Sequence, residues 1–248
     1  MKHGFAYLSQ NRFLSVPNDA STKPFGVAGI PYDGAVTNRP GARFAPAAIR
    51  QASQMLCDGI HPFFNTSPYE FIRDLGDLAT PNTDLTAMRA SLAEQVPALL
   101  AQYHMCWLGG DHSITLGLLR AYRAWAGQPL AVLHFDAHCD TWEDHFGEPS
   151  GHGTWVYEAI TEGLVDPESF VQVGIRSAGV CEAREYVRDQ GGVIFTARDL
   201  RGLESEGQLS EVIQTIRQRL SAKGLPVYLT LDIDCLDPAF APGTGTPE

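Results

Sequence analysis

The strongest constraint on this chain is a regular change of period along it. Short apolar runs rich in β-branched residues recur at 26–30, 105–108, 130–135, 170–175, 193–195 and 226–231. Their length and composition are those of strands buried on both faces. Between them the apolar period lengthens to three or four residues: Leu85, Met88, Leu92, Val96 and Leu99, then Ile114, Leu118, Tyr122 and Trp125, then Leu209, Val212, Ile213, Ile216 and Leu220. Such stripes mark amphipathic helices. Strands joined through helical crossovers lie parallel, so the alternation predicts an α/β fold with a mostly parallel sheet covered on both faces.

No internal repeat or linker interrupts the pattern. With 248 residues and 44% hydrophobic content, the chain can bury one large core, so a single domain over 1–248 is expected. Pro97 lies within the first helical stripe and predicts a kink or break there. Pro46, just before AAIRQASQ, suits a first helical turn.

A formal charge of -11, with no basic stripe bearing interleaved aromatics, argues against nucleic acid and weakly favours a cationic ligand. The five cysteines are scattered without a C-x-x-C pair, so neither a disulfide framework nor a zinc ribbon is indicated. No apolar stretch reaches the roughly 18 residues of a membrane span, and the first residues do not read as a signal peptide. The expectation is a cytoplasmic protein without membrane partners.

Chemistry concentrates at the carboxyl ends of three of the apolar runs. AVLHFDAHCD ends on Asp136, His138 and Asp140 at spacing two; VYLTLDIDCLDP ends on Asp232 and Asp234 at the same spacing. In an extended chain such residues share a face. The run HMCWL leads into Gly109, Gly110, Asp111 and His112, where a strand gives way to a helix. Ligands of open parallel sheets bind beyond the carboxyl ends of the strands.

Two imidazoles and four carboxylates gathered there would repel one another without cations. A nitrogen and oxygen donor set without thiolate suits manganese-like ions, and bridging aspartates allow two of them. Such a pair would hold a hydroxide able to attack a guanidinium carbon, and four aspartates balance the charge of two divalent ions. His152, in the glycine-punctuated loop that follows the first ligand strand, is the candidate for delivering a proton to the leaving amine.

With these residues in view, the sequence resembles the ureohydrolase family of arginases and agmatinases, closest to the bacterial agmatinases. PYDGAVTNRPGARFAPAAIR, GGDHSITLG, HFDAHCDTW, HGTWVYEAI and LDIDCLDPAFAPGTGTPE carry the resemblance in order, from about Gly29 to the last residue. It implies a three-layer α/β/α, arginase-like fold and two manganese ions per chain. Asp136 and Asp232 would bridge, His112 and Asp140 would complete one ion, and His138 and Asp234 the other. His152 matches the family histidine assigned to proton transfer. The resemblance further implies a homo-trimer or hexamer.

Where arginases carry an asparagine that holds the amino-acid end of arginine, this chain has Trp142. An indole does not reproduce those amide hydrogen bonds, and agmatine does not need them. The expected reaction is therefore hydrolysis of agmatine to urea and putrescine. Guanidinobutyrate, guanidinopropionate, arginine and formiminoglutamate remain as substrates of the same chemistry, and a catalytically silent metal-binding relative is the further alternative. A zinc deacylase on the same general fold would use one ion, against which the full ligand set argues. Family members continue past the GTGTPE loop into a region that supplies a guanidinium-binding glutamate, which the chain is expected to lack; Glu248 matches the loop, not that later position.

Simpler readings accompany several residues. Asp111 reads as a helix cap, and Asp232 or Asp234 taken singly as a strand-end cap. His134 lies deeper in its strand and reads as a core histidine, outside the metal site. His145 shares the loop of His152, and only the HGT context separates the two. Cys139 and Cys235 read as small packing residues facing away from the ligands.

Overall fold

The structure is a computed structural model in which residues 11–17, 23–57, 59–203 and 206–248 are described. Two compact units are distinguished, one of Met1–Gly34 with Pro40–Ile114, the other of Ala35–Arg39 with Thr115–Glu248.

In the first unit, β1 (Phe25–Gly29) lies between β2 (Ile72–Asp77) and β3 (His104–Leu108), all parallel. The β1–β3 register runs unbroken from Phe25 opposite His104 to Gly29 opposite Leu108. Helix α1 (Ala45–Ser53) starts with a proline in its first turn, as expected of Pro46. Helix α2 (Leu85–Leu100) is capped by Asp84, whose carboxylate accepts the Ala87 N–H at 2.9 Å, and buries Met88, Leu92, Val96 and Leu100. The break expected at Pro97 does not occur. Proline removes one N–H near the end of the helix, and the ladder closes again as Ala101 N–H donates to the Pro97 carbonyl at 3.1 Å.

Strand β2 was not legible as an apolar run because one of its inward positions is Asp74, 8% exposed. Arg50 compensates that burial: its Nε donates to Asp74 Oδ2 at 2.8 Å and its Nη2 to Oδ1 at 3.1 Å. The core here is Leu14, Val16, Val27, Ile72 and Leu108.

In the second unit the strand order is β6 (Val193–Thr196), β5 (Val165–Ile175), β4 (Leu130–Phe135) and β7 (Val227–Leu231), again all parallel. Helix α3 (Ile114–Ala126) precedes β4, and α4 (Trp155–Thr161), α5 (Cys181–Asp189), α6 (Ala197–Leu200) and α7 (Glu206–Ser221) supply the crossovers. Leu116, Leu119, Leu130, Val132, Trp155, Phe170 and their neighbours form one apolar core, and Cys139 is buried within it, as a packing residue should be. No helix among the described residues is long and apolar enough to cross a membrane.

Candidate metal centre

The β4–β7 register is unbroken from Ala131 opposite Val227 to Phe135 opposite Leu231. It continues one step further, since Asp232 N–H donates to the Phe135 carbonyl at 2.8 Å. The two acidic segments therefore leave the sheet side by side. Neither stays extended, so the shared-face argument does not survive: β4 ends at Phe135, Asp140 has a φ of 55°, and a 3₁₀ turn over Ile233–Cys235 follows Asp232. Turns, not strand alternation, aim these side chains.

Asp136, His138 and Asp234 each offer a ligand atom within 4.8 Å of the others. His138 Nδ1 lies 3.1 Å from Asp234 Oδ2 and 3.4 Å from Asp136 Oδ1, and both carboxylates are 1% exposed. Burial pushes the Asp234 carboxyl upward, reinforced by the charges of Asp136 and Asp232 and opposed by His138. For His138, burial works against the charged ring, but hydrogen bonds to the two carboxylates prevail and push it up to about 11. Without a metal, a proton on His138 is the cation that reconciles these buried carboxylates. A divalent ion held by the same atoms would satisfy them better, and the donor set of two carboxylates and an imidazole fits one.

His134, Asp136 and Asp140 form a second group of mutually close ligand atoms. Gln172 Nε2 donates to His134 Nδ1 at 3.1 Å, which leaves the ring's Nε2–H to donate to Asp136 Oδ2 at 2.8 Å. His134 is thus a core histidine, as expected, but one that orients the Asp136 carboxylate. Asp140 is held likewise: the Trp155 indole N–H donates to its Oδ2 at 2.7 Å, and Val156 N–H to its carbonyl at 3.0 Å. Sequence reasoning missed Gln172 and Trp155 in this supporting role, since their partners lie in other elements, and left His134 as core although Asp136 is only two residues on.

Asp232 stands outside both groups. Its Oδ1 accepts the Asp234 N–H at 3.1 Å and so caps the 3₁₀ turn that aims Asp234. Glu248 Oε1 lies 3.6 Å from His138 Nε2. In the first unit, His112 is buried in the turn between β3 and α3. Asp111 caps that turn, accepting Ser113 N–H at 2.9 Å. Gly110 is required there: a Cβ would fall 1.8 Å from the Tyr32 carbonyl oxygen.

His152 lies in the loop before α4. Thr37 meets its Nε2 with both the hydroxyl, at 2.9 Å, and the backbone N–H, at 3.3 Å. His145 stands edge to face against it, ring centroids 5.4 Å apart, and Trp142 stands 5.3 Å beyond His145.

Comparison with known proteins adds to this geometry a family model, Arginase family, that matches residues 23–248. The chain belongs to the arginase family. Within that family it is 40% identical to an agmatinase of Cronobacter sakazakii over 253 residues, spanning 98% of this chain and 74% of that protein. Among solved structures it is similar to the proclavaminate amidino hydrolase of Streptomyces clavuligerus, with a TM-score of 0.87 and 35% identity over 99% of this chain and 81% of the other. A hypothetical agmatinase from Burkholderia thailandensis matches with a TM-score of 0.85 and 36% identity, over 98% and 75% respectively. The expected arginase-like α/β architecture of this family member is therefore what the chain adopts.

Proposed function

We propose that this chain is an agmatinase: a hydrolase of guanidino compounds that converts agmatine to urea and putrescine with two manganese ions. The reading rests on one observation above the rest, the buried group of Asp136, His138 and Asp234 beside Asp140, in a chain 40% identical to an agmatinase. His112, Asp136, His138, Asp140, Asp232 and Asp234 are the residues that would hold the ions. When bound, the ions lower the pKa of water so that hydroxide is available near neutral pH.

The chain's own residues do the rest. His134 and Trp155 hold the carboxylates of Asp136 and Asp140 in fixed orientations. The acidic site favours a substrate whose guanidinium is cationic. His152 gives the departing amine its proton. Trp142 takes the sequence position at which arginases carry the asparagine that holds the substrate α-carboxylate, a group that agmatine lacks. The enzyme is further assigned to the cytoplasm as a homo-trimer or hexamer, which fractionation and light scattering would check.

A second reading, the same chemistry on another guanidino compound, is favoured by the similarity to a proclavaminate amidino hydrolase. Urea release separates the two. Manganese-loaded protein should release urea from agmatine, in a chelator-sensitive manner, and not from arginine, guanidinobutyrate or guanidinopropionate; formiminoglutamate, whose nitrogen product is formamide, is followed by its glutamate. Turnover of one of the others instead would replace agmatine, and no turnover despite two bound ions would make the chain a silent relative.

A further inference from the structure

His152 is reached by a segment far from it in sequence. Residues 35–39 lie against the loop at Gly151, whose added Cβ would come 3.7 Å from the Ala35 carbonyl oxygen, and against Gly245, whose Cβ would come 2.7 Å from the Arg39 carbonyl oxygen. Asn38 Nδ2 donates to the Gly245 carbonyl at 2.8 Å and fixes the segment there. Thr37 is thereby held with its hydroxyl and its backbone N–H both on the same nitrogen, His152 Nε2.

A backbone N–H can only donate, so Nε2 must accept, and in a neutral imidazole the other nitrogen then carries the proton. We infer that Thr37 is a positioning residue that holds His152 as its Nδ1-protonated tautomer, the reverse of what free histidine prefers. His145 completes the placement, since its ring meets His152 at 85° and fixes the ring face while Thr37 fixes the edge. The nitrogen turned away from Thr37 then carries the proton, and its transfer to a departing amine is balanced by uptake of one from solvent at Nε2, where the Thr37 hydroxyl turns to accept and the backbone N–H contact is given up. Thr37 is exposed and belongs to neither core cluster, so its replacement tests the contact and not the fold.

The inference rests on the reading of His152 as the proton-transfer residue, and its test separates the two. Ring ¹⁵N spectra of histidine-labelled protein, assigned with His152→Asn, should give His152 as Nδ1–H in the native chain. In Thr37→Pro, which removes both the backbone N–H and the hydroxyl, the Nε2–H form should gain population, with native metal content and KM and a kcat lower by roughly three- to tenfold, the worth of one hydrogen bond. Thr37→Ser should restore both. An Nε2–H ring in the native protein, or a Thr37→Pro spectrum unchanged from it, overturns the inference. Full turnover by His152→Asn would instead remove the catalytic reading of His152 while leaving the tautomer result in place.

Discussion

The Trp155 indole donates to Asp140 Oδ2 at 2.7 Å while the next residue's N–H holds the Asp140 carbonyl, so the start of α4 fixes both ends of one candidate ligand. Trp155 is fully buried against His134 and Phe170. Trp155→Phe keeps most of the packing and removes the donor. Metal affinity should fall about 10- to 100-fold, as for other lost partners of metal ligands. Manganese titration checks this against a circular-dichroism control for the fold; native affinity would mean that Asp140 needs no orienting partner.

Metal binding should also expel a proton. The metal-free site holds His138 protonated up to about pH 11. The sign follows: a ring pKa raised above the unfolded value stabilises the metal-free fold fully below about pH 6.5, and that contribution fades as pH rises toward 11. At pH 8 the ring is still charged, and an ion that takes a ring nitrogen must displace its proton. Calorimetric titration with manganese in buffers of different ionisation enthalpy should therefore report net proton release, and apparent affinity should weaken as pH falls. Buffer-independent heats would remove His138 from the ligand set.

How much of this was legible in the sequence divides along physical lines. The runs that became β4 and β7 were evident from apolar content alone, and so were the acidic residues after them. Their aim was not. Spacing two treats Asp232 and Asp234 alike, but the chain leaves β7 for a 3₁₀ turn between them, so Asp234 is buried while Asp232 caps the turn. Strand β2 escaped notice because one of its two buried positions is an aspartate whose neutralising partner, Arg50, belongs to α1. Trp155, Gln172 and Thr37 act on residues 15, 38 and 115 positions away, a relation that local periodicity does not carry.

The Arg50–Asp74 pair makes a prediction about stability. Arg50 and Asp74 side chains are 4% and 1% exposed, and Asp74 also accepts the N–H groups of Phe13 at 2.7 Å and Gly76 at 2.9 Å. Arg50→Met strands a buried carboxylate and should cost about 3–5 kcal/mol in urea unfolding. Burial alone would raise the Asp74 carboxyl, but the Arg50 hydrogen bonds and the two N–H groups hold it below its usual range. A depressed carboxylate stabilises the fold above its unfolded pKa of about 4 and loses that contribution as pH falls through the folded value. Asp74→Asn should accordingly flatten the acid limb of a plot of Tm against pH below 4. An unchanged acid limb would mean that other carboxylates govern acid unfolding.

The loop that carries His152 makes the sharpest demand on a single glycine. A Cβ on Gly153 would fall 2.2 Å from His145 Cε1 and 2.5 Å from its Nε2, so the His145 ring occupies the space that any side chain at 153 would need. Gly153 does not lie in the left-handed region, and alanine is acceptable to its backbone. Gly153→Ala therefore acts by displacing His145, which stands against His152 and Trp142, without touching the carboxylate ligands. Burial and the neighbouring His152 hold the His145 pKa below its ordinary value, so the native ring is neutral at pH 7 and packs as an uncharged group. Turnover should drop at least tenfold in Gly153→Ala, about 1.4 kcal/mol of transition-state placement, with manganese content unchanged. His145→Ala introduced alongside it should remove the clash and relieve part of the added loss. If the alanine variant loses its metals instead, the loop at 153 supports the ligand shell and not the placement of His152.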